Sequence, residues 1–124
     1  MLYSIPELKC IHDLPHRSDY DHWSAQLNHI DPQAFQRICD ELDRRFDARD
    51  VDTSSWIPGA DWTGTIFDPI YRACEQDEVS AGLFFGLIVW QVVMDREDCW
   101  SFGRYEKGGV PIRGMTYFRI TCPE

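Results

Sequence analysis

The run Glu78-Val-Ser-Ala-Gly-Leu-Phe-Phe-Gly-Leu-Ile-Val-Trp-Gln-Val-Val-Met-Asp95 decides the fold, together with the two aromatic stretches after it, Trp100 to Glu106 and Val110 to Thr121. In the first run apolar residues fall on every side of a helix over 78–95, which places that helix in the interior. Its most apolar part, Ala81 to Met94, is broken by Gln91 and is shorter than the roughly twenty residues a bilayer core needs. Gly82 and Gly86 lie on one side, a turn apart. Each costs up to about 1 kcal/mol relative to Ala in a helix, so close approach of another element is the expected compensation.

The two following stretches are rich in aromatic and β-branched residues and flank Lys107-Gly108-Gly109, which predicts an antiparallel hairpin. A two-residue turn at Gly108-Gly109 sets Asp98 opposite Arg119, Trp100 opposite Tyr117, Phe102 opposite Met115 and Arg104 opposite Arg113. The other face then carries Cys99 with Phe118 and Gly103 with Gly114. A lone two-stranded ribbon is marginal, so either Leu2–Ile5 adds a strand or the hairpin pairs with a second copy, and a homodimer is expected.

Outward from this core, Tyr20, Trp23, Leu27 and Ile30 form one helical face, with Ser18 or Asp19 as its cap. Asp31-Pro32 restarts a helix striped by Phe35, Ile38, Leu42 and Phe46. Asp68-Pro69 repeats the device for a short helix carrying Ile70, Tyr71 and Cys74. Residues 1–17 read as extended or irregular. The expected architecture is a single α+β domain over 1–124: three to four helices, then a C-terminal antiparallel β-hairpin packed on the central hydrophobic helix.

The chain has 124 residues and a net charge of −9, unevenly spread: −4 over residues 1–50, −7 over 51–98 and +2 over 99–124. Such an acidic balance argues against wrapping nucleic acid, which needs clustered Lys and Arg. It permits a basic partner. Five cysteines, an odd number spread almost evenly with no C-x-x-C, suit neither a disulfide framework nor a zinc ribbon. Reduced thiols in a cytoplasm are the expectation.

Opposed arginines cost roughly 0.2–1 kcal/mol in a sheet, and an anion between Arg104 and Arg113 would reverse that cost. The aromatic neighbours Trp100 and Tyr117 would complete such a ligand face. Acidic side chains from the middle of the chain could equally neutralise the pair. The segment Trp56-Ile-Pro-Gly-Ala-Asp-Trp-Thr-Gly64 joins two indoles, Trp56 and Trp62, with the carboxylate of Asp61. It is either a pocket wall for a flat or cationic ligand or a loop pinned to the core by its tryptophans. His12, His16, His22 and His29 crowd the first 30 residues, but nothing fixes their convergence, so surface histidines are expected rather than a metal site. No phosphate loop, dinucleotide fingerprint, nucleophile elbow or zinc-protease motif is present, and no cofactor is expected.

The strings Trp56 to Gly64, Gly86-Leu-Ile-Val-Trp90, Ser101-Phe-Gly-Arg-Tyr-Glu106 and Pro111 to Ile120 resemble a group of small bacterial proteins of the integron gene cassette type. The resemblance implies a bacterial cytoplasmic protein and supplies no catalytic or binding residues. The residues themselves favour a non-enzymatic binding or interaction protein, for an anionic or aromatic small molecule or for a protein. The alternatives are an acidic inhibitor of the immunity type that covers a basic toxin, and a small enzyme using Asp61 with a His and an Arg.

Overall fold

A computed structural model describes residues 1–53, 62, 64–103, 106–107, 110–111 and 114–123. The chain order is β1 (Leu2–Ser4), β2 (Lys9–Ile11), α1 (Arg17–Ile30), α2 (Ala34–Ala48), β3 (Val51–Thr53), α3 (Asp68–Ala73), α4 (Glu78–Asp95), β4 (Trp100–Gly103), β5 (Glu106–Lys107), β6 (Val110–Pro111) and β7 (Thr116–Arg119). The class is α+β. The sheet, however, is not a simple C-terminal hairpin: five strands run in the order β2-β1-β4-β7-β3, with β1 parallel to β4 and the other pairs antiparallel. Strands of three residues give too short an alternation to be read in advance. Of the two ways to complete the ribbon, the chain takes the first, and Leu2–Ser4 becomes its third strand.

The hairpin also slips. Its distal part pairs Glu106 with Pro111 and Lys107 with Val110, the expected register. Its proximal part pairs Trp100 with Arg119, Ser101 with Phe118, Phe102 with Tyr117 and Gly103 with Thr116, two residues away from it. Between the ladders lie two residues on the outgoing strand and four on the return. Gly114, at φ 81, is one of the four, a conformation that a side chain resists. A slip of two preserves the side of the sheet on which every residue stands, so the expected faces survive while the expected pairs do not.

The four helices among the described residues mostly follow their stripes. In α1 Tyr20 and Leu27 are buried, and in α2 Ala34, Ile38, Leu42 and Phe46 are. Starts differ more. α1 begins at Arg17 after His16 in the left-handed region, not at a Ser18 or Asp19 cap. Asp31 makes the turn before α2, accepting from Gln33 N–H at 3.1 Å, and the helix opens at Ala34. α4 spans the expected residues, with Asp77 accepting from Val79 N–H at 3.1 Å.

α4 has the length and apolarity of a short membrane span, yet 44% of it is buried inside the fold. Phe84 meets Tyr20 and Trp23 of α1, Phe85 meets Trp62 and Phe67, and Trp90 meets Phe102 of β4, with centroids 4.8–6.0 Å apart. α2 covers the neighbouring part of the sheet: Phe46 stands edge-on to Trp100 at 5.0 Å and to Tyr117 at 5.9 Å. Each such pair is worth about 0.5–1.5 kcal/mol beyond the area it buries.

Two expectations need correction. Cys99 and Cys122 are joined in a disulfide, with Cα atoms 5.2 Å apart, because the ladder brings Ile120 onto Cys99 (Ile120 N–H to Cys99 O, 2.9 Å). Sequence spacing cannot show a proximity that depends on register. Among the described residues Gly82 and Gly86 receive no close neighbour, since a Cβ at either would meet nothing within 4 Å beyond the adjoining backbone of its own helix.

Glycine substitutions therefore take opposite signs at two places. Gly82→Ala, filling open space in a helix, should stabilise by up to about 1 kcal/mol and raise Tm by a few degrees. Gly114→Ala, at positive φ, should destabilise by about 1–2 kcal/mol. Thermal melts followed by circular dichroism check both, and equal shifts of the same sign would contradict the placement of these glycines.

Candidate functional site

The aromatic pair expected to complete the ligand face does not lie open. Trp100 and Tyr117 are 0% and 1% exposed, packed under Phe46, so their aromatic surface builds the core and is closed to a solute. Trp62 is half-buried against Phe85 at 5.7 Å, as an anchor of its segment would be. Arg104, Arg113, Trp56 and Asp61 lie outside the described residues. His12, His16, His22 and His29 are all exposed. No three His, Cys, Asp or Glu among the described residues converge as metal ligands would. Burial, reinforced by Asp77, pushes the Cys74 thiol up to about 12.

What the fold does assemble is an acid-lined groove of about 580 Å³ between α2 and the turn from α4 to β4. Asp43 and Asp47, four apart on α2, form one wall. Asp95, Glu97 and Asp98 form the other, and Cys39 and Val92 add apolar lining. Arg96, just past the end of α4, is the floor. Its side chain is 10% exposed and holds Asp43 at 3.0 Å, Asp47 at 2.5 Å and Asp98 at 2.8 Å. It also donates to the Asp43 carbonyl at 3.1 Å.

Asp98 is shared. Arg119 reaches it from β7 at 2.5 Å, and also binds Asp50 at 3.1 Å and the carbonyls of Phe46 and Arg49 at 2.9 and 3.2 Å. Its guanidinium lies 4.7 Å above the Trp100 ring. The expected Asp98–Arg119 attraction therefore forms, although Arg119 stands directly opposite Trp100. Burial works against charge on Asp98, but hydrogen bonds from Arg96 and Arg119, with the Trp100 indole nearby, outweigh it and hold the carboxyl well below the usual range. The same carboxylates keep Arg96 charged.

Electrostatically the floor is satisfied and the rim is not. Five carboxylates face one guanidinium across the groove, and Arg119 takes part from behind. Asp95 accepts the Gln91 amide at 3.0 Å, and among the described residues neither Asp95 nor Glu97 meets a cation. Burial, with Asp43, Asp40 and Asp95, pushes the Cys39 thiol up to about 11, so it stays protonated near neutral pH. The groove can hold positive charge and offers no activated nucleophile.

Sequence reasoning overlooked Arg96. The signal was present in the run Asp95-Arg-Glu-Asp98 after an apolar helix, and in the stripe Asp40, Asp43, Asp47 on the polar side of α2. A second cavity, of about 230 Å³, lies among His22, Trp23, Cys74 and Asp77. Its Asp77 is occupied in capping α4 and in binding Ser80 Oγ at 2.8 Å. No family model, curated protein or solved structure matches the chain. The integron-cassette resemblance rests on the strings quoted above.

A carboxyl held low in the folded state contributes stability above its unfolded value, near 4, and that stability is lost as the pH falls below it. Tm should therefore drop steeply on acidification from about pH 5. Asp98→Asn should cost about 2–3 kcal/mol at pH 7 and flatten the acid limb. Melting curves from pH 7 to pH 2 for both proteins check this; parallel acid limbs would remove Asp98 from the account.

Proposed function

We propose that this is a non-enzymatic interaction protein whose acidic groove receives a basic segment or surface of a protein partner. One observation supports the reading: among the described residues Asp95 and Glu97 stand exposed at the rim with no ion pair, above a floor where Arg96 and Asp98 already neutralise each other. A groove with its own cation bound below and surplus carboxylates above favours Arg or Lys from outside. It disfavours an anion, because the guanidinium groups of Arg96 and Arg119 are committed to carboxylates.

Covering a basic toxin or nuclease is the narrower form of the same reading. It is supported by the −7 carried by residues 51–98 and by the exposed acids of α2 beside the groove. Such complementarity speeds encounter and fades with salt. The reading is favoured over a small enzyme by the state of the groove's own groups, since the Cys39 thiol is held protonated and Asp98 is held ionised, a poor base.

The test uses a fluorescent nona-arginine peptide as probe. Asp95→Asn with Glu97→Gln should weaken its binding by roughly three- to tenfold at low salt. Glu7→Gln with Asp13→Asn, which removes the same charge from the exposed N-terminal segment, should leave binding within about twofold. Equal losses in the two variants would show that the peptide reads net charge and not the groove.

A further inference from the structure

The junction of β4 with the C-terminal tail holds a feature that this reading does not use. Cys99, immediately before β4, is 1% exposed. Cys122, its disulfide partner, is exposed and lies in the stretch after β7 that forms neither helix nor strand. The backbone contact at this junction is Ile120 N–H to Cys99 O at 2.9 Å. Among the described residues no hydrogen bond holds 121–123.

The strands before the tail are pinned by other means. Arg119 closes β7 with Asp98, Asp50, the Phe46 carbonyl of α2 and the Arg49 carbonyl just after it, and it covers Trp100. β7 is also paired on both sides, with β4 and with β3. The sheet therefore has its register without the covalent link, and what the link adds is the position of the tail.

We propose that the Cys99–Cys122 disulfide is a reversible thiol-operated latch on the C-terminal tail, opened by a dithiol reductant through attack at Cys122 while the folded sheet persists. The reductant's thiolate bonds to the Cys122 sulfur and the S–S bond breaks. The electron pair leaves on the Cys99 sulfur, which takes up a proton. The reductant's second thiol then displaces Cys122 from the mixed disulfide. The protein gains two electrons and two protons as two thiols, and the reductant leaves as its own disulfide.

Exposure sets the direction of attack, because a nucleophile from solvent meets Cys122 and not the buried Cys99. Two of the chain's own thiols compete poorly. Cys39 and Cys74, pushed up to about 11 and about 12 by burial, carry little thiolate near neutral pH.

The test uses the full chain, purified without reductant. Alkylation in denaturant followed by peptide mass spectrometry should find one disulfide, Cys99 to Cys122, with Cys10, Cys39 and Cys74 modified. Brief exposure of the folded protein to glutathione, quenched and alkylated, should place the glutathione adduct on Cys122. After dithiothreitol treatment the far-ultraviolet spectrum and a cooperative melt should remain. Hydrogen exchange should rise at least tenfold at Ile120, whose N–H donates to the Cys99 carbonyl, and stay within twofold over β4, and Cys122→Ser should behave as the reduced protein does.

Adducts on Cys99, or five alkylated cysteines in the untreated protein, would overturn the proposal. So would reduction that requires denaturant. A reduced protein or Cys122→Ser variant without a cooperative melt would also overturn it, by making the bond a structural staple.

Discussion

Asp98 holds two guanidinium groups that arrive from different parts of the chain, and the arrangement of the sheet against α2 depends on it. Arg96 brings the end of α4 and, through Asp43 and Asp47, the outer turns of α2. Arg119 brings β7 and the α2–β3 connection. Exposed ion pairs contribute about 0–1 kcal/mol each, so this junction matters less for the sum of its bonds than for where they stand. The guanidinium of Arg119 lies on Trp100, and Trp100 lies against Phe46. A displaced Asp98 would leave Arg119 without its main counter-charge directly over the largest ring in the core, and the cost of unpaired charge near an apolar interior far exceeds that of a lost surface pair.

That constraint also accounts for the slip in the hairpin. A continuous ladder from the Gly108-Gly109 turn would set Trp100 opposite Tyr117. The two additional residues on the return strand move Arg119 into that place instead and set Tyr117 opposite Phe102. The shift by an even number keeps Trp100, Phe102, Tyr117 and Arg119 on the core side. It gains the stack of Arg119 on Trp100 and keeps the bond from Arg119 to Asp98. Gly114 supplies the positive φ within the longer side of this irregularity.

The legible part of the fold was the part governed by local periodicity. The stripes of α1 and α2 follow from spacing, and the span of α4 from spacing and its Asp77 cap, because a helix closes its hydrogen bonds within a few residues. The faces of the hairpin were legible for a similar reason: alternation along a strand survives any even slip. What escaped depends on distant segments meeting. The Cys99–Cys122 bond, the placement of β1 between β2 and β4, and the hub at Arg96 are consequences of register and topology that no short window contains. Trp100 and Tyr117 show the same limit from the other side. Their pattern correctly marked one face of a hairpin, but whether that face meets solvent or α2 was decided by Phe46, more than fifty residues earlier.

The charge distribution takes its meaning from the same topology. The positive tail follows the acidic middle in sequence, and the fold uses that asymmetry where it brings them together: Arg119 from the tail, half-buried, binds Asp50, Asp98 and two carbonyls. Neutralisation stops there. Among the described residues Arg96 is the base that lines the groove, and it faces Asp43, Asp47 and Asp98 at once, so the carboxylates of Asp95 and Glu97 form no ion pair there. If the acids served only to balance the chain's own bases, surplus carboxylates would be expected to scatter over the surface to reduce mutual repulsion. Here they gather at the lip of a groove, a costly placement for stability alone, and one that a cation from a partner would relieve.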